Sequence, residues 1–276
     1  MSEFWRRFGR SRPGLVGLGL ILLLGGSALG APLLAPRDPL ETSAAAFRSP
    51  GGEGILGTDN LGRDVWAGLL YGARVSLMVG VLSAGFAAVI GIAVGSVAGF
   101  VGGRVDAVLM RLSDLVQTIP QFFLALLIVA LAGRGLWKII GVLAILGWPL
   151  VARLVRAQFL SLREREFVEA ARALGMSDLR IAAVVILPNA VQPAIVAASL
   201  GVAEAVLLES GLSFFGLGDP NLMSWGVMLQ NAQGFLRRAW WMAVFPGLAI
   251  FAAVLAFNLF GDGLNDALDP QLRQRT

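Results

Sequence analysis

Six apolar runs govern what this chain can fold into: residues 15–34, 75–101, 105–131, 139–155, 190–208 and 242–260. A helix rises about 1.5 Å per residue, so a run of roughly 20 apolar residues crosses the hydrocarbon of a bilayer. The third run is the least clean. Arg111 and Asp114 lie in its first half, and Pro120 with Gln121 inside it marks an expected packing kink. The first run follows Arg6, Arg7, Arg10 and Arg12. Its basic start and Ala-rich end also fit a cleaved signal segment, but its length and the later runs favour a retained span. Composition agrees: 57% of residues are hydrophobic and 14% charged, against about 45–50% and 25% in soluble domains. An ordinary water-soluble enzyme is excluded, and the expected fold class is an all-α membrane protein with six transmembrane helices.

Missing residue types exclude more. With no Cys and no His, the chain has no disulfide, thiolate or imidazole metal ligand, Cys nucleophile or Ser-His-Asp triad. Its one lysine, Lys138, follows Trp137, whereas a phosphate-binding G-x-x-x-x-G-K-[ST] loop needs Gly before Lys. Any work that costs ATP must therefore draw on another subunit. No carboxylates cluster at metal spacing within the runs, which argues against a membrane-embedded enzyme.

Basic residues are retained on the cytoplasmic side of spans. With the N-terminus inside, fourteen of the 22 Lys and Arg residues, Arg273 and Arg275 among them, fall on the inner side and eight on the outer. Both termini are then cytoplasmic, and the positive charge faces anionic lipid rather than nucleic acid. Two hydrophilic stretches remain. Residues 36–74 lie outside, Gly- and Pro-rich around Arg48-Ser-Pro-Gly-Gly-Glu-Gly54, with an amphipathic helix expected over 65–71 leading into the second span. Residues 156–189 lie inside and carry the densest charge. The chain divides into 1–74, holding the tail, first span and external segment, and 75–276, holding the five-helix core with the 156–189 loop.

Three constellations carry mechanism. In the second run Ser83, Ala87, Gly91, Gly95, Gly99 and Gly103 place a small residue at every fourth position, a face that packs closely on another helix. In the internal loop, Phe167, Ala170, Ala171 and Leu174 recur at helical spacing beside Glu164, Glu166, Glu169 and Arg172. Gly175 reads as the helix stop, Ser177 as a cap for the next helix, and Pro188 as the end of that second segment. Such a stripe is either packed on the bundle or offered to a soluble partner. Third, ionisable groups inside spans are functional candidates. Glu204 and Glu209 lie toward the outer end of the fifth run, to line or gate a pathway or to pair within a complex. Asp114 is a weaker pathway candidate, with a local pair to Arg111 or a neighbouring backbone group favoured.

Glu169-Ala-Ala-x-x-x-Gly175 followed by Val185-Ile-Leu-Pro188 resembles the E-A-A-x3-G-x9-I-x-L-P loop of membrane subunits of ATP-binding-cassette importers, with Val185 in place of Ile. Gly57-Thr-Asp-Asn-Leu-Gly-Arg-Asp64, Tyr71-Gly-Ala-Arg-Val-Ser-Leu77, Leu212-Ser-Phe-Phe-Gly-Leu-Gly218, Ser224-Trp-Gly226 and Gly261-Asp-Gly-Leu-Asn-Asp-Ala-Leu-Asp-Pro270 resemble the C-type permeases of the dipeptide/oligopeptide/nickel group. Phe215 stands where Leu is usual and Asn265 where Arg is usual. The resemblance implies a type I importer permease fold with a cytoplasmic coupling helix, in the inner membrane. The implied assembly adds a second homologous permease, two ATP-binding subunits that hold ATP and Mg, and an extracytoplasmic solute-binding protein. This chain then needs no cofactor and catalyses nothing. Phe167, Ala170, Ala171 and Leu174 would dock on an ATPase, Glu169 would supply charge or a cap, and Gly175 and Pro188 would shape the loop. Di- or oligopeptides are the first expectation for substrate, then nickel chelates or another small solute. An ion-driven transporter without ATPases is the rival class.

Overall fold

The computed structural model describes residues 2–51 and 54–268; Gly52, Glu53, Asp269, Pro270, Arg273 and Arg275 of the stretches above lie outside the described residues. In hydrocarbon a backbone must satisfy its own hydrogen bonds, and the described chain does so through helices. In order they are α1 (Ser2–Phe8), α2 (Arg12–Leu29), α3 (Ala31–Leu34), α4 (Val65–Val101), α5 (Gly103–Thr118) and α6 (Gln121–Ala132). There follow α7 (Leu136–Leu162), α8 (Glu166–Ala173), α9 (Asp178–Arg180), a π-helical turn (Ile181–Ile186), α10 (Leu187–Ala190), α11 (Gln192–Phe214), α12 (Trp225–Ala232) and α13 (Trp241–Leu268).

Helices α2, α4, α7, α11 and α13 are each long and apolar enough to cross a membrane, while α5 and α6 meet at an 86° bend. The expected third span is therefore not one continuous helix. Pro120 has no amide to donate, and it presses the residue before it out of helical geometry; Ile119 is extended at φ −93°, ψ 134°. The bend is a break, sharper than the kink expected from sequence. The amphipathic stretch at 65–71, in turn, is simply the first two turns of α4.

Side-chain registry fixes the direction of each helix. Ser83 of α4 reaches the Ile140 carbonyl of α7, and Gly91, Gly95 and Gly99 then face Val151, Val155 and Phe159 in step. Residue numbers rise together, so α4 and α7 run parallel. The α5–α6 pair must consequently return the chain to the side from which α4 started, and it counts as one crossing. Sixteen and twelve residues at nearly a right angle span about 30 Å end to end, enough for a bilayer core. Against α4, α11 is antiparallel, with Ser76 opposite Glu209 and Ala84 opposite Gly201. Helix α13 is antiparallel to α2, with Gly17 against Phe260 and Ser11 bonded to Asp266. Six crossings result, and Ser11, the 163–190 loop and Asp266 share one face of the bundle.

The small-residue ladder of α4 is the seam with α7. A Cβ on Gly91 would lie 2.6 Å from that of Val151, and one on Gly99 2.5 Å from that of Phe159. Only the absence of those side chains lets the backbones come this close. Gly103 leaves the ladder: it opens α5 with φ +56° and faces open space. Leu22, Leu23, Leu127, Leu131 and Phe251 are exposed, as lipid-facing positions of a bundle are.

Candidate functional site

The loop between α7 and α11 builds a two-sided element. Glu166 and Glu169 occupy the first turn of α8 and Arg172 its last, each favourable toward the helix dipole. Val168, 0% exposed, and Ala171 pack into a core with Val155, Phe159, Ile181 and Ile186. Phe167 and Leu174, 43% and 84% exposed, point away with Ala170 and Leu179. Ala171 thus departs from the expected stripe: it is an anchor, whereas Phe167, Ala170 and Leu174 form the outer face. Val168, which sequence reasoning missed, is the stronger anchor. Its signal was position 168 lying three residues before Ala171 on the same helical face.

Gly175 ends α8 as expected, with φ +79°. Its amide bonds the Arg172 carbonyl at 2.9 Å and that of Met176 bonds Ala171 at 3.1 Å, the paired 5→2 and 6→1 bonds of a Schellman cap. Ser177 holds the N-cap position of α9, but its hydroxyl accepts no backbone bond. Pro188 does not end its segment. It sits in the first turn of α10, where a missing amide costs nothing, and helix continues to Ala190. The π-helical turn precedes it, with the Leu187 amide bonded to Ala182 five residues back, a widening that accommodates the proline ring. Arg163 ties the loop to the end of α4 through the Gly99 carbonyl at 3.3 Å.

The membrane carboxylates separate into distinct environments. Glu209, 2% exposed, accepts hydrogen bonds from Ser76 of α4 at 3.0 Å and Ser213 at 2.7 Å. Ser76 in turn accepts the Trp225 amide at 3.2 Å. Glu209 is therefore a staple joining α4, α11 and α12, and it does not line the groove beside Glu204. Glu204 is exposed and lines an open groove between α4, α7 and α11, together with Gln121. Asp114 pairs with Arg153 of α7 at 2.7 Å, not with Arg111. Asp106, missed although it lies in the same apolar run, makes a two-pronged pair with Arg156, one arm at 2.6 Å. The polar side of α5 thus docks on α7, while Val105, Val108, Leu112 and Leu115 are exposed.

On the opposite face, Gly57–Asp64 closes into a turn. Asp59 accepts the amides of Leu61 and Arg63 at 2.8 and 2.9 Å and pairs with the Arg63 guanidinium at 2.6 Å. Trp241 bonds the Thr58 carbonyl at 3.1 Å. The Leu212–Gly218 stretch ends α11 with a second Schellman cap at Gly216, φ +82°, in which Gly216 bonds Ser213 and Leu217 bonds Leu212. Ser224 caps α12 by accepting the Val227 amide at 3.2 Å. Trp225 is buried and bonds the Leu69 carbonyl at 3.0 Å, and a Cβ on Gly226 would meet Ser210 at 2.7 Å. These motifs are architectural: they lock the ends of α4, α11, α12 and α13 on that face.

Comparison with known proteins adds two family matches. Residues 91–274 match the family described as binding-protein-dependent transport system inner membrane component. Residues 1–50 match the N-terminal TM domain of oligopeptide transport permease C. The di/tripeptide transport system permease protein DppC of Pseudomonas aeruginosa is 41% identical over 281 residues, covering 99% of this chain and 93% of that one. The dipeptide transport system permease protein DppC of Haemophilus influenzae is 36% identical, with 99% and 96% covered. That of Bacillus subtilis is 39% identical, with 99% and 86% covered.

Proposed function

Because the chain belongs to the family of binding-protein-dependent transport system inner membrane components, we propose that it forms half of the pathway of an ATP-driven importer of di- and oligopeptides. The observation that carries this reading is the outer face of α8. Phe167, Ala170 and Leu174 are exposed beside Glu166, Glu169 and Arg172, and an apolar patch rimmed by charge is a protein-docking surface. Two ATP-binding subunits, which hold ATP and Mg, provide the groove for it. A homologous permease closes the pathway, and a solute-binding protein delivers peptide at the opposite face. The face shared by Ser11, α8 and Asp266 is then cytoplasmic in the inner membrane, in keeping with the bias of basic residues toward it.

Motion passes through packing. When the ATPases close on ATP, they push α8. Val168 and Ala171 are seated against Val155 and Phe159 of α7, and α7 is joined to α4 along the glycine seam, so the three helices move as one body. Two arrangements of that body, open inward or outward, give alternating access.

The test is recovery and transport. A tag on this chain should retrieve a homologous permease and two ATP-binding subunits. Proteoliposomes holding that complex should accumulate di- and tripeptides when ATP and loaded binding protein are supplied. Nickel-chelate uptake without peptide uptake would reassign the substrate. Gradient-driven uptake by the chain without ATPases would overturn the reading.

A further inference from the structure

Glu204 lies at the thirteenth of the 23 residues of α11, about 18 Å from one helix end and 15 Å from the other; because α11 runs on to Phe214, it sits at the middle of the span and not toward the outer end expected from the 190–208 run. It has no hydrogen-bonding or ionic partner among the described residues. An ionised side chain at that depth does not face lipid; it faces water, a cavity or an opposite charge. The groove beside it supplies the space. Its lining mixes small residues, Ser83, Ala84 and Gly201 among them, with Leu143, Leu150 and Leu208, and among the described residues Glu204 is the one ionisable side chain in it. The 86° break between α5 and α6 brings Gln121, the first residue of α6, to the same groove, and its amide also has no partner among the described residues.

We infer that Glu204 receives the free ammonium end of a peptide in transit, with the Gln121 amide beside it for a peptide group. This rests on the peptide-import reading above. Every unblocked peptide carries that cation whatever its side chains, so one carboxylate in an open groove favours peptides without selecting among sequences. The groove is open rather than enclosed, which suits a transient guest better than a permanent packed partner.

The absence of cysteine permits a clean test. In the reconstituted importer, Glu204→Cys should react with small water-soluble thiosulfonates, read by mass spectrometry of this chain. Peptide and ATP should slow that reaction. Peptide uptake by Glu204→Gln and by unlabelled Glu204→Cys should fall about tenfold, the size of one modest charge contact. Labelling the thiol with an anionic sulfonate reagent should restore uptake, whereas a cationic trimethylammonium reagent should not. A thiol inert to both reagents would mean that the second permease subunit covers the position, and would overturn the inference. So would unchanged uptake by Glu204→Gln, or equal rescue by both reagents. If the wild-type complex moves no peptide at all, the underlying import reading fails instead.

Discussion

Gly175 and Glu209 show how much a single residue can carry. Gly175 meets no neighbour within 4 Å of a built Cβ, so its requirement is conformational only: φ +79° costs an L-residue about 1–2 kcal/mol, and more when β-branched. Gly175→Val should leave the complex assembled and hydrolysing ATP while peptide uptake per ATP falls several-fold. Wild-type stoichiometry in that variant would remove the loop from coupling. Glu209 is held by the hydroxyls of Ser76 and Ser213. Glu209→Gln keeps an acceptor and should lower thermal stability little. Glu209→Leu strands Ser76 and Ser213, at roughly 1–3 kcal/mol for each unsatisfied group, and should lower the melting temperature of the purified complex clearly. The carboxylate was legible in the sequence as a charge inside a span. Its serine cage was not, because Ser76 lies 133 residues away and joins Glu209 only when α4 and α11 pack.

Among elements, α5 is the informative one. Its two ion pairs to α7 look alike but differ in burial. Asp114 and Arg153 are 66% and 43% exposed, whereas Asp106 and Arg156 are 16% and 31% exposed. Exposed pairs contribute about 0–1 kcal/mol, while breaking a buried one strands a charge at about 3 kcal/mol or more. Discounted for its partial exposure, Asp106→Asn should still destabilise the protein more than Asp114→Asn in thermal unfolding; the reverse order would mean that α5 does not dock through Arg156. Helix α4 was almost fully readable, since four-residue spacing of small residues states a close seam outright, though not that α7 is the partner. Helix α8 was half readable. Spacing marked the stripe, but only packing separates Ala171 and Val168 from Phe167, Ala170 and Leu174. The size of the break at Pro120 was not written in local sequence, because ring sterics forbid a straight helix there without setting the new direction.

For the whole molecule, the parallel run of α4 and α7 demands an odd number of crossings between them, the single α5–α6 pair, and this gives a topology that labelling can check. Single thiols introduced at the exposed positions Leu61 and Trp137 should react from one side of sealed vesicles, and thiols at Leu174 and Asn265 from the other. Leu61 and Trp137 on opposite sides would refute the α5–α6 pair as one crossing. Hydropathy alone reached six spans because length and apolarity are local properties. Which helices touch, and in what direction, emerged only from registry.

Helix α2 packs along α13 and meets α4 near its end, with Leu18, Ile21, Leu24 and Ala28 in the core clusters. Gly14 and Gly17 meet Gly263 and Phe260, and Arg74 grips the last turn through the carbonyls of Ala28 and Leu29, the latter at 2.9 Å. Most of its remaining surface meets lipid, a solvent that asks only for apolarity. The specific information in this helix therefore sits on one side, in two glycines, an arginine belonging to another helix, and the core side chains Leu18, Ile21, Leu24 and Ala28. Over evolutionary time its exposed positions, Leu22 and Leu23 among them, are free to drift among Leu, Ile and Val without the partners noticing, so that this side of α2 should diverge faster than its packed side while its place in the assembly stays fixed.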